Sequence, residues 1–172
     1  GCEAGRVNTA ISTISIGQQA GYSNTGGTRN IFIGYQAGYS NTTGGRSTII
    51  GYEAGEFNTG TSNTFIGAAS GQGVSGSSTG YYNTGVGKDS LVSLTTGQNN
   101  TSIGYQAGNT TTTGTNNIII GHDAEASSAT VSNEITLGDA NITALRIPGL
   151  QSGASDGDVL TFSSGTGKIT LA

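Results

Sequence analysis

The apolar residues of this chain fall into short alternating pairs that recur at nearly constant spacing. Ile14 and Ile16 flank a single residue, as do Ile31 and Ile33, Ile118 and Ile120, and Ile135 and Leu137. Alternation with a period of two belongs to a strand with two distinct faces. A glycine follows each such segment: Ile16-Gly17, Ile33-Gly34, Ile50-Gly51, Ile66-Gly67, Val86-Gly87, Ile103-Gly104, Ile120-Gly121 and Leu137-Gly138. Counted from Gly1, successive glycines of this column are 16, 17, 17, 16, 20, 17, 17 and 17 residues apart. The interval of 20 marks an insertion, expected in the Ser75–Gly80 stretch.

Other columns move with that glycine. Ala4, Ala20, Ala37, Ala54, Ala107 and Ala124 follow it by three residues, with Ser70 and Ser90 as replacements, and Gly5, Gly21, Gly38, Gly55, Gly71 and Gly108 come next. Asn8-Thr9, Asn24-Thr25, Asn41-Thr42 and Asn58-Thr59 form a further column, and Tyr35, Tyr52 and Tyr105 another. Helical repeats need about 33 residues or more for two helices, and Gly, Asn and Thr are poor helix formers. Each unit therefore holds a short strand ending at Ile-Gly, a tight turn, a second short extended segment and a return. Stacking such units at about 4.8 Å makes a rod roughly 40 Å long. The expected fold is all-β, a parallel β-solenoid or β-roll of roughly 17-residue coils. Glycine would serve its sharp corners, and Asn its turns and hydrogen-bonded ladders.

The two strand faces carry different expectations. The Ile-Gly face, made of Ile16, Ile33, Ile50, Ile66, Val86, Ile103, Ile120 and Leu137, is expected to fill the solenoid core. The opposite face runs Ser15, Phe32, Ile49, Phe65, Gly85, Ser102, Ile119 and Thr136. On it Phe32, Ile49, Phe65 and Ile119 would form an exposed apolar stripe, and such stripes mark interfaces. Copies of the chain packed about one axis, as a trimer, would cover it. The alternative is a wider solenoid that buries both faces.

The run Thr64-Phe65-Ile66-Gly67 and the strings Ile33-Gly34-Tyr35-Gln36-Ala37-Gly38 and Ile103-Gly104-Tyr105-Gln106-Ala107-Gly108 resemble the repeats of trimeric β-roll fibres. Such repeats occur in bacteriophage tail-fibre proteins and are similar to those in the head domains of trimeric autotransporter adhesins, although the repeat here is longer. The resemblance covers about residues 1–143. It implies a left-handed parallel β-roll, three chains around an axis, and a role in attachment.

The repeat fades after Leu137-Gly138, so residues 1–143 are expected to form the array and 144–172 a C-terminal cap. Asn141–Ile147 reads as a last strand that Pro148-Gly149 ends, and 151–158 as a polar linker. Val159–Phe162 and Lys168–Leu171 read as a hairpin across Ser163–Gly167. Solenoid ends need such covers for their open edges. The Leu-Arg-Ile-Pro-Gly-Leu and Gly-Asp-Val-Leu-Thr segments also resemble those near fibre C-termini.

Composition narrows the function. Charged residues are 9% of the chain and the formal net charge is −4, so no basic stripe for nucleic acid exists. No apolar run reaches a membrane span of about 18 residues. The 31 glycines come with 1 proline, which is neither collagen nor a Pro-rich linker. Position 1 falls inside a repeat, so the chain reads as part of a longer polypeptide. Gly1-Cys2 superficially matches a lipoprotein cleavage site but also fits the repeat. Cys2 is the sole cysteine and His122 the sole histidine, which leaves no hydrolytic triad or His/Cys metal site. His122 occupies the tyrosine column and reads as a surface ladder residue. Glu53, Glu56, Asp89 and Asp123 read as solvated surface and not as a sugar-cleaving pair. Asp156-Gly157-Asp158 lacks the spacing of a calcium loop. Asn41, Asn99, Asn100, Asn109 and Asn141 lie in glycosylation sequons.

The chain is thus expected to be a structural element and no enzyme, without cofactor or metal. Its expected partners are itself, as homotrimer or filament, and a cell-surface glycan or receptor. Its expected place is extracellular or on a virion surface, as the shaft of an attachment fibre. A cell-made filament or adhesin joined end to end is the alternative. A monomeric ice-binding solenoid, suggested by Thr110–Thr113, is a third reading.

Overall fold

A computed structural model describes residues 1–145 and the backbone of 160–163 and 168–171. The chain divides into two compact units, Gly1–Asp139 and Ala140–Ala172.

The first unit is a parallel β-solenoid of about seven turns. Its strands are β1 (Ile14–Ile16), β2 (Ile31–Ile33), β3 (Thr48–Ile50), β4 (Thr64–Ile66), β5 (Thr84–Val86), β6 (Thr101–Ile103), β7 (Ile118–Ile120) and β8 (Ile135–Leu137). They pair in chain order in one parallel sheet, each with the equivalent residues of the next coil, as in Ile31↔Thr48, Phe32↔Ile49 and Ile33↔Ile50. The 20-residue interval lies between β4 and β5. There Val74–Ser77 bulge out in a turn closed by the Ser77 N–H on the Val74 carbonyl (3.0 Å). Ser78 then rejoins the stack, donating its hydroxyl to the Leu94 carbonyl (2.8 Å).

Glycine is required after each strand because coil touches coil there. A Cβ on Gly34 (φ 133°) would lie 2.6 Å from the Gly51 carbonyl carbon, and the contact recurs at Gly51 against Gly67. Glycine serves sharp corners as expected, but not alone. Two columns hold left-handed backbone on other residue types: Gln19, Gln36, Glu53, Ala69, Asp89, Gln106 and Asp123 after the strands, and Ser12, Arg29, Arg46, Ser62, Tyr82, Asn99, Asn116 and Asn133 before them. Each such residue costs about 1–2 kcal/mol, and the coil-to-coil hydrogen bonds offset it. The N–H groups of Gln36, Glu53 and Ala69 donate to Gln18, Tyr35 and Tyr52 of the preceding coil at 2.8–2.9 Å.

The expected second extended segment is not a strand. Among the described residues its only ladder element is an isolated bridge, Asn58↔Ser78. Elsewhere the leg closes by convergent donors: the N–H groups of Thr25, Gly26 and Gly27 all point at the Thr42 carbonyl, at 3.0, 2.9 and 3.2 Å. An asparagine ladder stiffens the edge just before the strands. Asn63, Asn83, Asn100 and Asn117 are buried. The Oδ1 of one accepts the backbone N–H of the next, at 2.8, 3.0 and 3.0 Å. Their Nδ2 groups donate to the carbonyls of Gly80, Gly97, Gly114 and Val131.

The interior is the main correction to the sequence reading. Phe32, Ile49, Phe65 and Ile119, expected as an exposed inter-chain stripe, are each 0% exposed and form the core with Ala20, Ala37, Ala54, Ala107 and Ala124. The residues expected in the core point outward instead. Ile16, Ile66, Ile103, Ile120 and Leu137 are exposed, and Ile33, Ile50 and Val86 are half-buried. The coil is too thin for two inward columns, and a glycine six residues past Phe32, Ile49 and Phe65 leaves room for each of those side chains to enter. A Cβ on Gly71 would collide with the Phe65 ring, and one on Gly55 would sit 2.8 Å from Ile49 Cδ1. The missing side chain is the room that the ring or branch occupies.

In the second unit, β9 (Leu160–Ser163) and β10 (Lys168–Leu171) pair antiparallel, with Ile169 opposite Phe162, which is the expected hairpin. The expected strand at Asn141–Ile147 is absent over its described part, Asn141–Leu145. Pro148-Gly149, the 151–158 linker and the Asp156-Gly157-Asp158 segment lie outside the described residues.

Candidate interaction surface

The outward face of the sheet holds two columns. One runs Ile16, Ile33, Ile50, Ile66, Val86, Ile103, Ile120 and Leu137 without a polar interruption. The other runs Ile14, Ile31, Thr48, Thr64, Thr84, Thr101, Ile118 and Ile135. Twelve of the sixteen positions are aliphatic, the other four are threonine, and none is charged. With about 4.8 Å between strands the face is roughly 34 Å long. Ile14 and Ile16 are 50% and 56% exposed, and Ile135 and Leu137 are 67% and 52% exposed. Covering a half-exposed aliphatic side chain is worth about 1 kcal/mol. The ladder therefore holds on the order of 12 kcal/mol per chain of unrealised burial.

The corner just after the strands carries polar and aromatic ladders. Tyr35 stacks on Tyr52 (5.1 Å between centroids, 14°) and Tyr22 on Tyr39 (5.1 Å, 17°). His122 stacks on Tyr105 (5.2 Å) with its Nδ1 3.2 Å from Asp123 Oδ2, so it is the surface ladder residue expected from the sequence. Lys88 pairs with Asp89 and lies over the Tyr105 ring at 5.4 Å.

Of the four acids weighed for sugar cleavage, the structure brings two together. Gln72 Nε2 donates to Glu53 (3.1 Å) and to Glu56 (2.8 Å). Burial pushes the Glu56 carboxyl above its usual range, Gln72 lowers it in part, and neighbouring Glu53 raises it further. The Gln72 amide fills the space between these carboxylates that a glycosidic bond would need. Asp89 is held by Lys88, and Asp123 sits beside His122. Among the described residues no group of three metal-ligating side chains occurs, and no helix is long and apolar enough to cross a membrane.

No known protein family, curated protein or solved structure matches this chain.

Burial also sorts the other candidates. Asn41 and Asn100 are buried, which removes two of the five sequons from glycosylation. Thr111 is buried and Thr112 donates its hydroxyl to the Ala129 carbonyl (3.2 Å), so Thr110–Thr113 offer no regular threonine face to ice. Sequence reasoning missed the buried asparagine column, although Asn63, Asn83, Asn100 and Asn117 each stand four residues before a key glycine. It also missed the left-handed column of Ser12, Arg29, Arg46 and Ser62, because those residue types carry no common conformational preference.

Proposed function

We propose that the chain is the shaft of a trimeric attachment fibre, with mechanical and not catalytic work, outside the cell or on a virion. One observation carries this reading: the charge-free aliphatic ladder on the outward sheet face. Three ladders turned toward a common axis would bury at most about 36 kcal/mol of apolar surface energy. Two association steps oppose that with about 4–15 kcal/mol each. Every coil repeats the same spacing, so copies match one another along the whole length in parallel. The resemblance to phage tail-fibre and adhesin-head repeats points the same way. A cell-surface glycan or receptor is the expected target.

Light scattering of the intact chain over a range of concentrations tests the reading. A constant mass of three chains, reduced to one by Ile50→Glu with Ile103→Glu while the β spectrum persists, is expected. A monomeric wild type would overturn it. Masses that climb with concentration would favour the end-to-end filament.

A further inference from the structure

Most carboxylates of the rod lie at the corner just after the strands, with Glu134, immediately before β8, the exception. Glu3, Glu53, Asp89 and Asp123 share one column just after the strands, and Glu56 and Glu125 belong to the same corner. The corner just before the strands holds no carboxylate in its left-handed column, which begins Ser12, Arg29, Arg46, Ser62. Arg29 and Arg46 are neighbours there. The Arg46 N–H donates to the Thr28 carbonyl (2.9 Å), which sets the two residues one coil apart, about 4.8 Å. Their φ angles, 61° and 60°, are nearly equal, so the two residues hold the same left-handed backbone one coil apart. Both are exposed.

The other basic residues of the solenoid are neutralised: Arg6 by Glu3 and Lys88 by Asp89. Among the described residues Arg29 and Arg46 have no ion pair, although like charges one rung apart repel. Hydroxyl groups flank them, Ser12 on one side and Ser62 on the other. A cleft of about 150 Å3 opens beside Arg29, lined by Ile11, Ser12, Thr28 and Arg29 itself. The cleft adds an apolar wall, since Ile11 is largely exposed.

We propose that this strip binds an acidic polysaccharide. The two guanidiniums would clamp one carboxylate or sulfate group, and the adjoining sugar would rest in the Ile11 cleft. Two forks facing one anion give paired, directional N–H···O bonds that a lysine pair would not. The serine hydroxyls at either end suit the hydroxyls of neighbouring sugar rings. Charge density favours a polysaccharide over nucleic acid. Duplex DNA carries one charge per about 1.7 Å, and a chain with a formal charge of −4 offers it, among the described residues, two cations outside ion pairs. A sparsely charged polymer can present one anion here without bringing others near the acidic corner. The site lies within one chain's coil stack, so it rests on the attachment reading for its use and not on trimerisation for its existence.

Isothermal titration of the full 172-residue chain tests it. The probes are oligogalacturonate, sulfated dextran oligomers, neutral dextran oligomers and a short DNA duplex, each at low and physiological salt. Saturable, salt-sensitive binding of the uronate, the sulfated oligomer or both is expected, and which arm responds identifies the anion. Arg29→Gln and Arg46→Gln should each weaken it about tenfold, as loss of a charged hydrogen bond does. Arg29→Lys with Arg46→Lys, which keeps the charge and loses the fork, should retain only part of it. Both arginines are exposed and their coil-to-coil bonds are made by the backbone, which glutamine keeps, so melting should not change. Binding of neither acidic oligomer, equal binding of the neutral one, tighter binding of DNA, or full binding by the double glutamine variant would overturn the proposal. Light scattering on the same samples reads the oligomer separately.

Discussion

Gly85 and Leu91 exchange the roles that their columns hold in neighbouring coils, and the exchange can be tested by a double substitution. In the coils of Phe32, Ile49 and Phe65, a large strand residue fills the interior and the glycine six positions later makes room for it. In the coil of β5 the strand residue is Gly85, and Leu91 stands where the glycine would be, fully buried and with φ 53°. Leu91 thus fills the interior from the other side. Leu91→Gly removes a buried leucine, worth roughly 3–5 kcal/mol with its cavity, but also relieves about 1–2 kcal/mol of left-handed strain. The net loss should be about 1–4 kcal/mol. Gly85→Phe alone forces a ring into occupied space, since even a Cβ there lies 2.9 Å from Ser70 Oγ and 3.1 Å from Phe65 Cδ1. That should cost about 3 kcal/mol or more. Together the two substitutions rebuild the Phe32–Gly38 arrangement, so the double variant should be more stable than the sum of the singles by about 2–3 kcal/mol. Urea unfolding of all four proteins, with hydrogen exchange at the β5 amides as the local readout, measures the coupling. Additive losses, or a double variant worse than either single, would refute the idea that the i and i+6 positions share one volume.

Other substitutions test the remaining contacts. Asn83→Ala strands the backbone N–H of Asn100 and the carbonyl of Gly97 in the interior. At about 1–3 kcal/mol per orphaned group it should lower stability by roughly 2–5 kcal/mol in thermal melts. Gly51→Ala places a methyl 2.6 Å from the Gly67 carbonyl carbon and should break coil stacking, read as lost β signal in circular dichroism. The Glu56 carboxyl is raised by burial, so its ionisation opposes folding. Its stabilising part is present below the unfolded carboxylate range and is lost as pH rises through the raised value; Glu56→Gln should flatten that decline in melts against pH. Glu134 is lowered, chiefly by the Ser127 hydroxyl and then by the Ser127 N–H. Its contribution is present above the unfolded carboxylate range and lost as pH falls through the lowered value, and Glu134→Gln should remove that acid-side slope.

The strands were legible because two independent periods agree: alternation within β2, β7 and β8, and the 17-residue recurrence of the glycine that follows them. The hairpin of β9 and β10 was legible for the same local reason. Which strand face enters the coil was not, because both parities are apolar. Ile31 and Ile33 are as hydrophobic as Phe32, and a strand shifted by one residue exchanges the two faces without changing its pattern. The clue lay farther off, in the i, i+6 complementarity of Phe32 with Gly38 and its inversion at Gly85 and Leu91. The left-handed corners escaped notice because Gln36, Arg46 and Asn99 have no backbone preference in common; the coil-to-coil bonds hold them there. The charge-separated corners likewise emerge only when residues one coil apart are set side by side.

Turning the faces around strengthens the argument for association. With Phe32 and its column outside, the stripe would be broken by Ser15, Gly85, Ser102 and Thr136, and the covered area would be small. With the Ile16 column outside, the aliphatic ladder is continuous over all eight coils, and its neighbours on the same face are isoleucines at both ends and Thr48, Thr64, Thr84 and Thr101 between them. A narrow ladder suits several chains meeting at an axis better than two chains meeting flat, since each neighbour covers one side of a side chain that stands away from the sheet. In such an assembly the corners on either side of the strand would face solvent at the seams between chains, with most of the acids on one and Arg29 and Arg46 on the other. In a parallel trimer each seam sets the acidic corner of one chain beside the basic corner of the next. If the arginines met those acids there, the glycan strip would close on assembly; if they stand clear, the trimer would carry three equal strips. Binding stoichiometry against assembled mass separates the two. One uronate per chain in the trimer is the expected result; binding confined to the Ile50→Glu, Ile103→Glu monomer would show Arg29 and Arg46 paired with the acids of the seam and would overturn the strip as a glycan site of the intact protein.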